Sequence, residues 1–282
     1  MPPLPFDFIL CADDYALSPA VSAGILEAAS LGRISAASAM TNRPDWPRAA
    51  RDWHTARPDA ALGLHLNLTV GAPLSPMPSL APDGKLPTIA QILRLSRQNL
   101  LPRAEIAAEI SSQIQAFCLN FGQPPEFVDG HQHVQVLPQV RQCLLDELTK
   151  RQWQGQLWLR NSADRLPNIL ARRSATKKAL GLAFLARGFA AHARSAGFAC
   201  NQGFSGFSAF DPTGDYGREM ARNLRALGPR HLIMCHPGHI DSQLRAADTV
   251  TDTREQELAF LLSAQWPKTL QSNNARLVRT WG

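Results

Sequence analysis

The stretch Phe6-Asp7-Phe8-Ile9-Leu10-Cys11-Ala12-Asp13-Asp14, followed by Tyr15-Ala16-Leu17-Ser18-Pro19, decides how the rest of the chain is read. Residues 6–12 are apolar at nearly every position, as in a strand covered on both faces. That strand is expected to stop at the two carboxylates. Ser18 can accept from the free N–H groups of a helix start, and Pro19 suits the first helical position. The helix so begun runs to about Leu31, where Gly32 ends it. A buried strand, a polar turn and a capped helix form the first unit of an α/β protein.

The same unit recurs outward from this stretch. Strand-like segments at 34–40, 61–68, 126–129, 157–160, 231–235 and 275–280 alternate with helical ones at 46–56, 104–121, 138–151, 170–196, 217–226 and 253–264. No linker or break in composition divides them, so one (β/α)-barrel domain over 1–282 is expected. A Pro- and Gly-rich excursion at 71–87 is read as ordered or as a lid. Asp13, Asp14, His65, Asp129, His131, Arg160 and His236 each fall at or just past the C-terminal end of a strand. In a barrel of parallel strands those ends converge on one rim, where active sites are built. Seven contributors suit a closed ring better than the edge of an open sheet.

Of the 282 residues, 45% are hydrophobic and 18% charged, which excludes a disordered chain. The net charge of +6 invites a nucleic-acid reading, but its distribution argues against one. Residues 1–150 carry 11 basic and 14 acidic side chains, whereas 151–194 carry nine basic ones against Asp164 alone. Five widely spaced cysteines with no CxxC pair read as buried thiols in a reducing compartment. The start Met1-Pro2-Pro3-Leu4-Pro5 has no basic and apolar leader pattern, and no run approaches the ~20 apolar residues of a membrane span. A cytoplasmic protein is expected.

Adjacent strand residues point to opposite faces, so Asp13 and Asp14 reach one pocket only if the strand ends there. Two close carboxylates repel, and a cation on one leaves the other free as a base. His65 is an imidazole in an apolar strand, either a core histidine or a ligand. His131 and His133, two apart in extended chain, would share a face in ligand-like spacing. His236 ends a strand before the turn-forming Pro237-Gly238 and is a candidate general acid or base. His54, His192 and His231 are expected at solvent or on helix surfaces. One carboxylate with two imidazoles leaves coordination positions open on a divalent cation. A spare aspartate and an opposing histidine complete the parts of a metal-dependent amide hydrolase.

Four ordered motifs carry a family resemblance: Cys11-Ala12-Asp13-Asp14-Tyr15-Ala16-Leu17-Ser18, Gly63-Leu64-His65-Leu66, Asp129-Gly130-His131-Gln132-His133-Val134 and Cys235-His236-Pro237-Gly238. Together they resemble the YdjC-like carbohydrate deacetylases, the group with chitooligosaccharide and hopanoid-biosynthesis deacetylases. The resemblance implies a TIM-like, irregular (β/α) barrel that removes acetyl from an N-acetylated amino sugar, free in an oligosaccharide or glycolipid-linked. It implies Asp14, His65 and His131 as ligands of one divalent ion, often magnesium, although two imidazoles also suit zinc. By the same resemblance Asp13 is the base that activates water and His236 the acid. His133 is expected against substrate, and Arg160 either against substrate, where it would orient a hydroxyl, or orienting the base, or as an ordinary salt-bridge partner. The family usually has Phe-Gly where this chain has Tyr15-Ala16, Ser at Gly130 and His at Gln135.

Two rival readings remain. One is another barrel metallohydrolase acting on a cyclic amide or phosphodiester, which often carries HxH at its first strand and a second metal. The other is a non-catalytic carbohydrate- or nucleic-acid-binding protein, for which the basic stretch would be the footprint. That stretch reads as a solvated outer helix, as a homodimer contact through the apolar side of 180–189, or as an approach to an anionic membrane or lipid-linked substrate through 172–194. Trp46, Trp153 and Trp158 pack in the core or offer a sugar a stacking face.

Overall fold

The computed structural model describes residues 4–281, so the start of the chain read at residues 1–3 lies outside the described residues. Nine strands follow in chain order: β1 Phe6–Tyr15, β2 Ala36–Ala39, β3 Ala61–Leu66, β4 Phe127–Gly130, β5 Trp158–Leu159, β6 Ala199–Cys200, β7 Gly203–Ser205, β8 His231–Cys235 and β9 Ala275–Leu277. The helices are α1 Pro19–Ser30, α2 Trp46–Ala56, α3 Ile89–Arg97, α4 Arg103–Phe121, α5 Pro138–Lys150, α6 Leu166–Arg172, α7 Thr176–Leu185, α8 Phe189–Ser195, α9 Tyr216–Asn223, α10 Ser242–Ala247, α11 Asp252–Leu262 and α12 Gln265–Ser272.

Every strand pairing is parallel, in the order β6-β5-β4-β3-β2-β1-β8-β7. The two ends of this path, β6 and β7, are separated only by Asn201 and Gln202. One short length of chain therefore pairs β5 with its first half and β8 with its second, so the sheet curls round until its ends meet. This is the expected TIM-like, irregular barrel. β9 joins β1 at Phe6–Phe8, on the edge that β2 takes over from Cys11 onward.

The period of two along each strand sorts the side chains into two cores. Phe8, Leu10, Ala12, Leu62, Leu64, Val128 and Ile233 pack outward beneath the helices. Ile9, Cys11, Ala36, Ala61, Phe127, Phe204, Leu232 and Met234 fill the barrel interior. Space there is tight: a Cβ on Gly63 would lie 2.5 Å from the Phe127 ring. The helices cover the outer core as their sequences direct. Ser18 caps α1 by accepting from the Val21 N–H at 3.3 Å, with Pro19 at its start. α4 buries Ile106, Ile110, Ile114 and Phe117 on one stripe. Each such side chain contributes about 1.5–3 kcal/mol on leaving water.

Several expectations change. The excursion at 71–87 is tied down, with Glu109 accepting from the Leu74 and Ser75 N–H groups and Glu105 from those of Ser79 and Leu80. The basic stretch is three helices, not one. Arg173 and Ala175 take left-handed backbone between α6 and α7, and Gly188 does so before α8. α3, α10, α12 and the strands β6 and β7 escaped the sequence reading, and none is longer than nine residues. No helix among the described residues is long and apolar enough to cross a membrane. Cys11, Cys143 and Cys235 are buried free thiols, while Cys118 and Cys200 are half-buried.

Candidate metal centre and its cavity

Asp13 continues the inward parity of Ile9 and Cys11, and Ser38, His65, Asp129 and Arg160 continue those of Ala36, Ala61, Phe127 and Trp158. The alternation that fills the lower barrel with apolar groups thus delivers a polar layer at its C-terminal rim. Asp14 would point outward by this rule. β1 does not end at Ala12 as expected but runs to Tyr15, with a register break between Ala12 and Tyr15. Asp14 there has φ of 73°. This bulge, not the end of the strand, turns both carboxylates into one pocket.

Asp14, His65 and His131 present ligand atoms that all lie within 4.8 Å of one another. His65 Nε2 is 3.2 Å and His131 Nδ1 2.9 Å from the same oxygen, Asp14 Oδ1. An ionised carboxylate only accepts, so Asp129 Oδ1, 2.6 Å from His65 Nδ1, fixes the proton there. His65 Nε2 then faces Asp14 with its lone pair, which is favourable only with a proton or a cation between them. Burial favours a neutral His65, but Asp129, Asp14 and Asp13 overcome this and raise it to about 10. Burial likewise pushes Asp14 up, yet Arg254 and His131 hold it well below the usual carboxylate range. Three buried carboxylates (Asp13, Asp14 and Asp129) face two buried guanidinium groups, Arg160 and Arg254. With neutral imidazoles the layer formally carries one negative charge more than positive, which a proton on His65 or a bound cation answers, and the two-imidazole, one-carboxylate donor set fits a divalent cation.

Of the alternatives for Arg160, the geometry matches the one that orients the base. Arg160 is fully buried behind Asp13, donating through Nη1 to Oδ2 at 2.7 Å and through Nη2 to Oδ1 at 2.6 Å. It also lies 2.5 Å from Asp129 Oδ2. Burial raises the Asp13 carboxyl, but Arg160 outweighs it and keeps Asp13 ionised. Cys11, Asp13 and Asp129 form a second group with ligand-like spacing. The guanidinium already bridges its two carboxylates, which disfavours a second metal there.

The sequence reading missed Arg254 and Glu257. Both lie on α11 and are buried. Arg254 donates to Asp14 Oδ2 at 2.6 Å and to Asp248 at 2.8 Å, leaving Oδ1 as the oxygen offered to the imidazoles. Glu257 accepts the His236 backbone N–H at 2.7 Å. The segment Thr253-Arg254-Glu255-Gln256-Glu257 has the composition of a solvated helix, so no local signal marks these two.

A cavity of about 290 Å³ opens over this layer, lined by Asp13, Asp14, His65, His131, His133 and His236 with Phe207, Phe210, Lys178 and Leu182. His236 lines the cavity, and its Nδ1 is enclosed without a partner. Burial lowers its pKa against the pull of Asp13 and Asp14. His133 does line the cavity, but not through extended-chain spacing. Gln132 and His133 have φ of 51° and 60°, so residues 131–136 form a distorted 3-10 turn and the two rings part. His133 instead sits 3.2 Å from Ser162 Oγ and edge-on to Phe204. Burial and Arg160 lower it to about 3.

The tryptophans take the core-packing alternative, and of the three outlying histidines only His231 departs from expectation. Trp46 stacks on Phe117 and Trp158 on Phe127, and none of Trp46, Trp153 and Trp158 lines the cavity. His231 is buried, 3.0 Å from Ser205 Oγ, whereas His54 and His192 are exposed. The family departures have local reasons. Tyr15 uses its hydroxyl to donate to the Ala49 carbonyl at 2.8 Å. A Cβ on Gly130 would come 2.7 Å from Gln135 Oε1, so the small residue at 130 makes room for the amide at 135.

The sequence profile of the YdjC-like protein family matches residues 7–272. Chitooligosaccharide deacetylases of Escherichia fergusonii and of an Enterobacter species are each 37% identical over 132 residues. Those matches cover 47% of this chain and 51% of each relative, so the chain spans about half the length of the curated relatives it matches. A crystal structure from Enterococcus faecalis V583, provisionally assigned to cellobiose-phosphate cleavage, superposes with a TM-score of 0.74 at 21% identity. It covers 97% of both chains and shares the fold.

Proposed function

This chain belongs to the YdjC-like family, and from that premise we propose that it is a metal-dependent hydrolase that removes acetyl from an N-acetylated amino sugar. The observation that carries the reading is the pairing, within one cavity, of a cation-fitting Asp14–His65–His131 cluster with an ionised, arginine-held Asp13. The names of the two partial relatives support the substrate class.

Asp14, His65 and His131 would hold the ion, which when bound polarises a carbonyl and acidifies water. Arg160 grips both oxygens of Asp13, so the carboxylate is fixed in direction and kept deprotonated. Each oxygen retains a lone pair, and Asp13 takes the proton of the water that adds to the acetamide carbon. His236 gives a proton to the departing nitrogen as the C–N bond breaks. The products are acetate and a free amine. Burial lowers the His236 pKa, which makes its protonated form a stronger acid and shifts that form toward lower pH. Phe207 and Phe210 offer the sugar an apolar wall, and His133, neutral, faces the same space.

An acetate-release screen over N-acetylated mono-, oligo- and lipid-linked sugars, with magnesium or zinc restored after EDTA, tests this. Activity should need the metal, and Asp13→Asn should lower it by about 10²–10⁴-fold while metal affinity persists. A fully active Asp13→Asn protein, or turnover unaffected by EDTA, would reject the assignment.

A further inference from the structure

Eleven large hydrophobic side chains are exposed among the described residues, and five of them lie on two adjacent helices. Leu166 and Leu170 stand one turn apart on α6; Leu180 and Phe184 stand one turn apart on α7, and Leu185 lies on the side of α7 that carries Lys178. α6 and α7 pack together, so the two exposed pairs lie on neighbouring elements. Phe184 is the most exposed at 67%, and the Arg187 guanidinium lies across its ring at 5.1 Å. The other exposed hydrophobics are spread through the rest of the chain, as single surface apolar residues normally are.

The charge on this face has one sign. Lys177 on α7, Arg173 just before it and Arg187 just after it are exposed. The one carboxylate in the stretch, Asp164, has its side chain buried and paired with Arg172 at 2.6 Å. Arg172 itself is not part of the surface. It is buried and donates to the carbonyls of Phe204, Arg225 and Ala226. The opposite side of α7 walls the active cavity through Lys178 and Leu182, with the Lys178 ammonium 4.9 Å over the Phe210 ring. The expected solvated outer helix is therefore a partition, with the cavity on one side and an apolar, basic surface on the other.

We infer that the exposed face of α6 and α7 docks on an anionic lipid surface, with Leu180 and Phe184 entering the apolar boundary and Arg173, Lys177 and Arg187 meeting the headgroups. Apolar side chains ringed by cations are the chemistry that such an interface takes. A second copy of the chain fits less well. A two-fold contact would set this cationic face against itself with no exposed carboxylate to answer it. Nucleic acid supplies the anions but leaves the leucines and the phenylalanine without an apolar partner. Docking would bring the cavity wall formed by α7 beside the lipid surface. The inference rests on this surface alone and is independent of the deacetylase reading.

Flotation of the full chain with vesicles of phosphatidylcholine, with and without phosphatidylglycerol, tests it. The protein should bind only the anionic vesicles, and less as salt rises. Leu180→Ser with Phe184→Ser should weaken binding by at least about tenfold. Arg173→Gln with Lys177→Gln should weaken it by about fivefold per charge removed. None of the four residues lines the cavity, so circular dichroism and metal affinity should stay at the native values in both variants. Failure of the native chain to bind anionic vesicles would overturn the inference. So would undiminished binding by the Leu180/Phe184 variant. A concentration-dependent dimer abolished by that variant, without vesicle binding, would assign the surface to a second copy. Duplex DNA binding lost only on charge removal would assign it to nucleic acid.

Discussion

The barrel interior has two levels built by the same strands with opposite chemistry. In the lower level Ile9, Cys11, Ala36, Ala61, Phe127, Phe204, Leu232 and Met234 meet as an apolar plug. Two or four residues further along the same strands, Asp13, Ser38, His65 and Asp129 meet as a hydrogen-bonded polar layer, with Arg160 and His236 just past their strands. The lower level is held by close packing and the upper by charge balance. That difference teaches where each kind of damage should be felt. A change below should cost stability and spare chemistry, whereas a change above should cost cation affinity and reaction while the fold persists.

The sharpest separation should come from Asp14→Asn, which removes the carboxylate charge and leaves one acceptor oxygen for Arg254 and the two imidazoles. By isothermal titration its loss of metal affinity should exceed the roughly 10–100-fold that a supporting group costs. An unchanged affinity would remove Asp14 from the centre. Glu257 comes next, because it couples the upper level to pH. Burial raises its carboxyl from 4.5 to about 7, against the His236 N–H it accepts. The folded chain therefore binds an extra proton between those values, and this group's contribution to stability should fall by about 3 kcal/mol as pH rises across that window. Urea unfolding at several pH values should show the fall in the native chain and its absence in Glu257→Gln. Parallel curves would place the Glu257 proton elsewhere.

Arg254→Gln tests whether support from behind the layer matters as much as the layer itself. It frees Asp14 Oδ2 and should weaken metal binding by about 10–100-fold without unfolding the chain. An equal affinity would mean that Arg254 only balances charge. The lower level supplies the contrast. Gly63→Ala pushes a methyl against the Phe127 ring and should destabilise by about 1–3 kcal/mol. Its metal affinity should stay native, and a loss there would erase the distinction between the two levels.

The residues that project from strands were legible because their positions follow from a local rule. A parallel strand buried on both faces announces itself by composition, and polar residues at its C-terminal end stand out against it. Asp13, Asp14, His65, His131 and His236 were found in this way, and all five line one cavity. The rule failed where backbone departs from the strand period. The bulge at Asp14 and the left-handed pair Gln132 and His133 decide which way those side chains turn. Nothing in an i,i+2 spacing reports such angles.

The support and the walls of the site belong to a different order of information. Arg254 and Glu257 lie in a charged helical segment, and they are buried because α11 packs against α1 and places them behind Asp14 and His236. Phe207 and Phe210 enter the cavity from the chain that follows the short β7. What the sequence determined by itself is the alternation of strand and helix and the polar ends of the strands, because both arise from neighbours a few residues apart. Which carboxylate meets which guanidinium, and which face of α7 looks inward, was decided only in the tertiary structure. Those partners are 147 and 240 residues apart for the two aspartates, and only closure of the sheet brings them together.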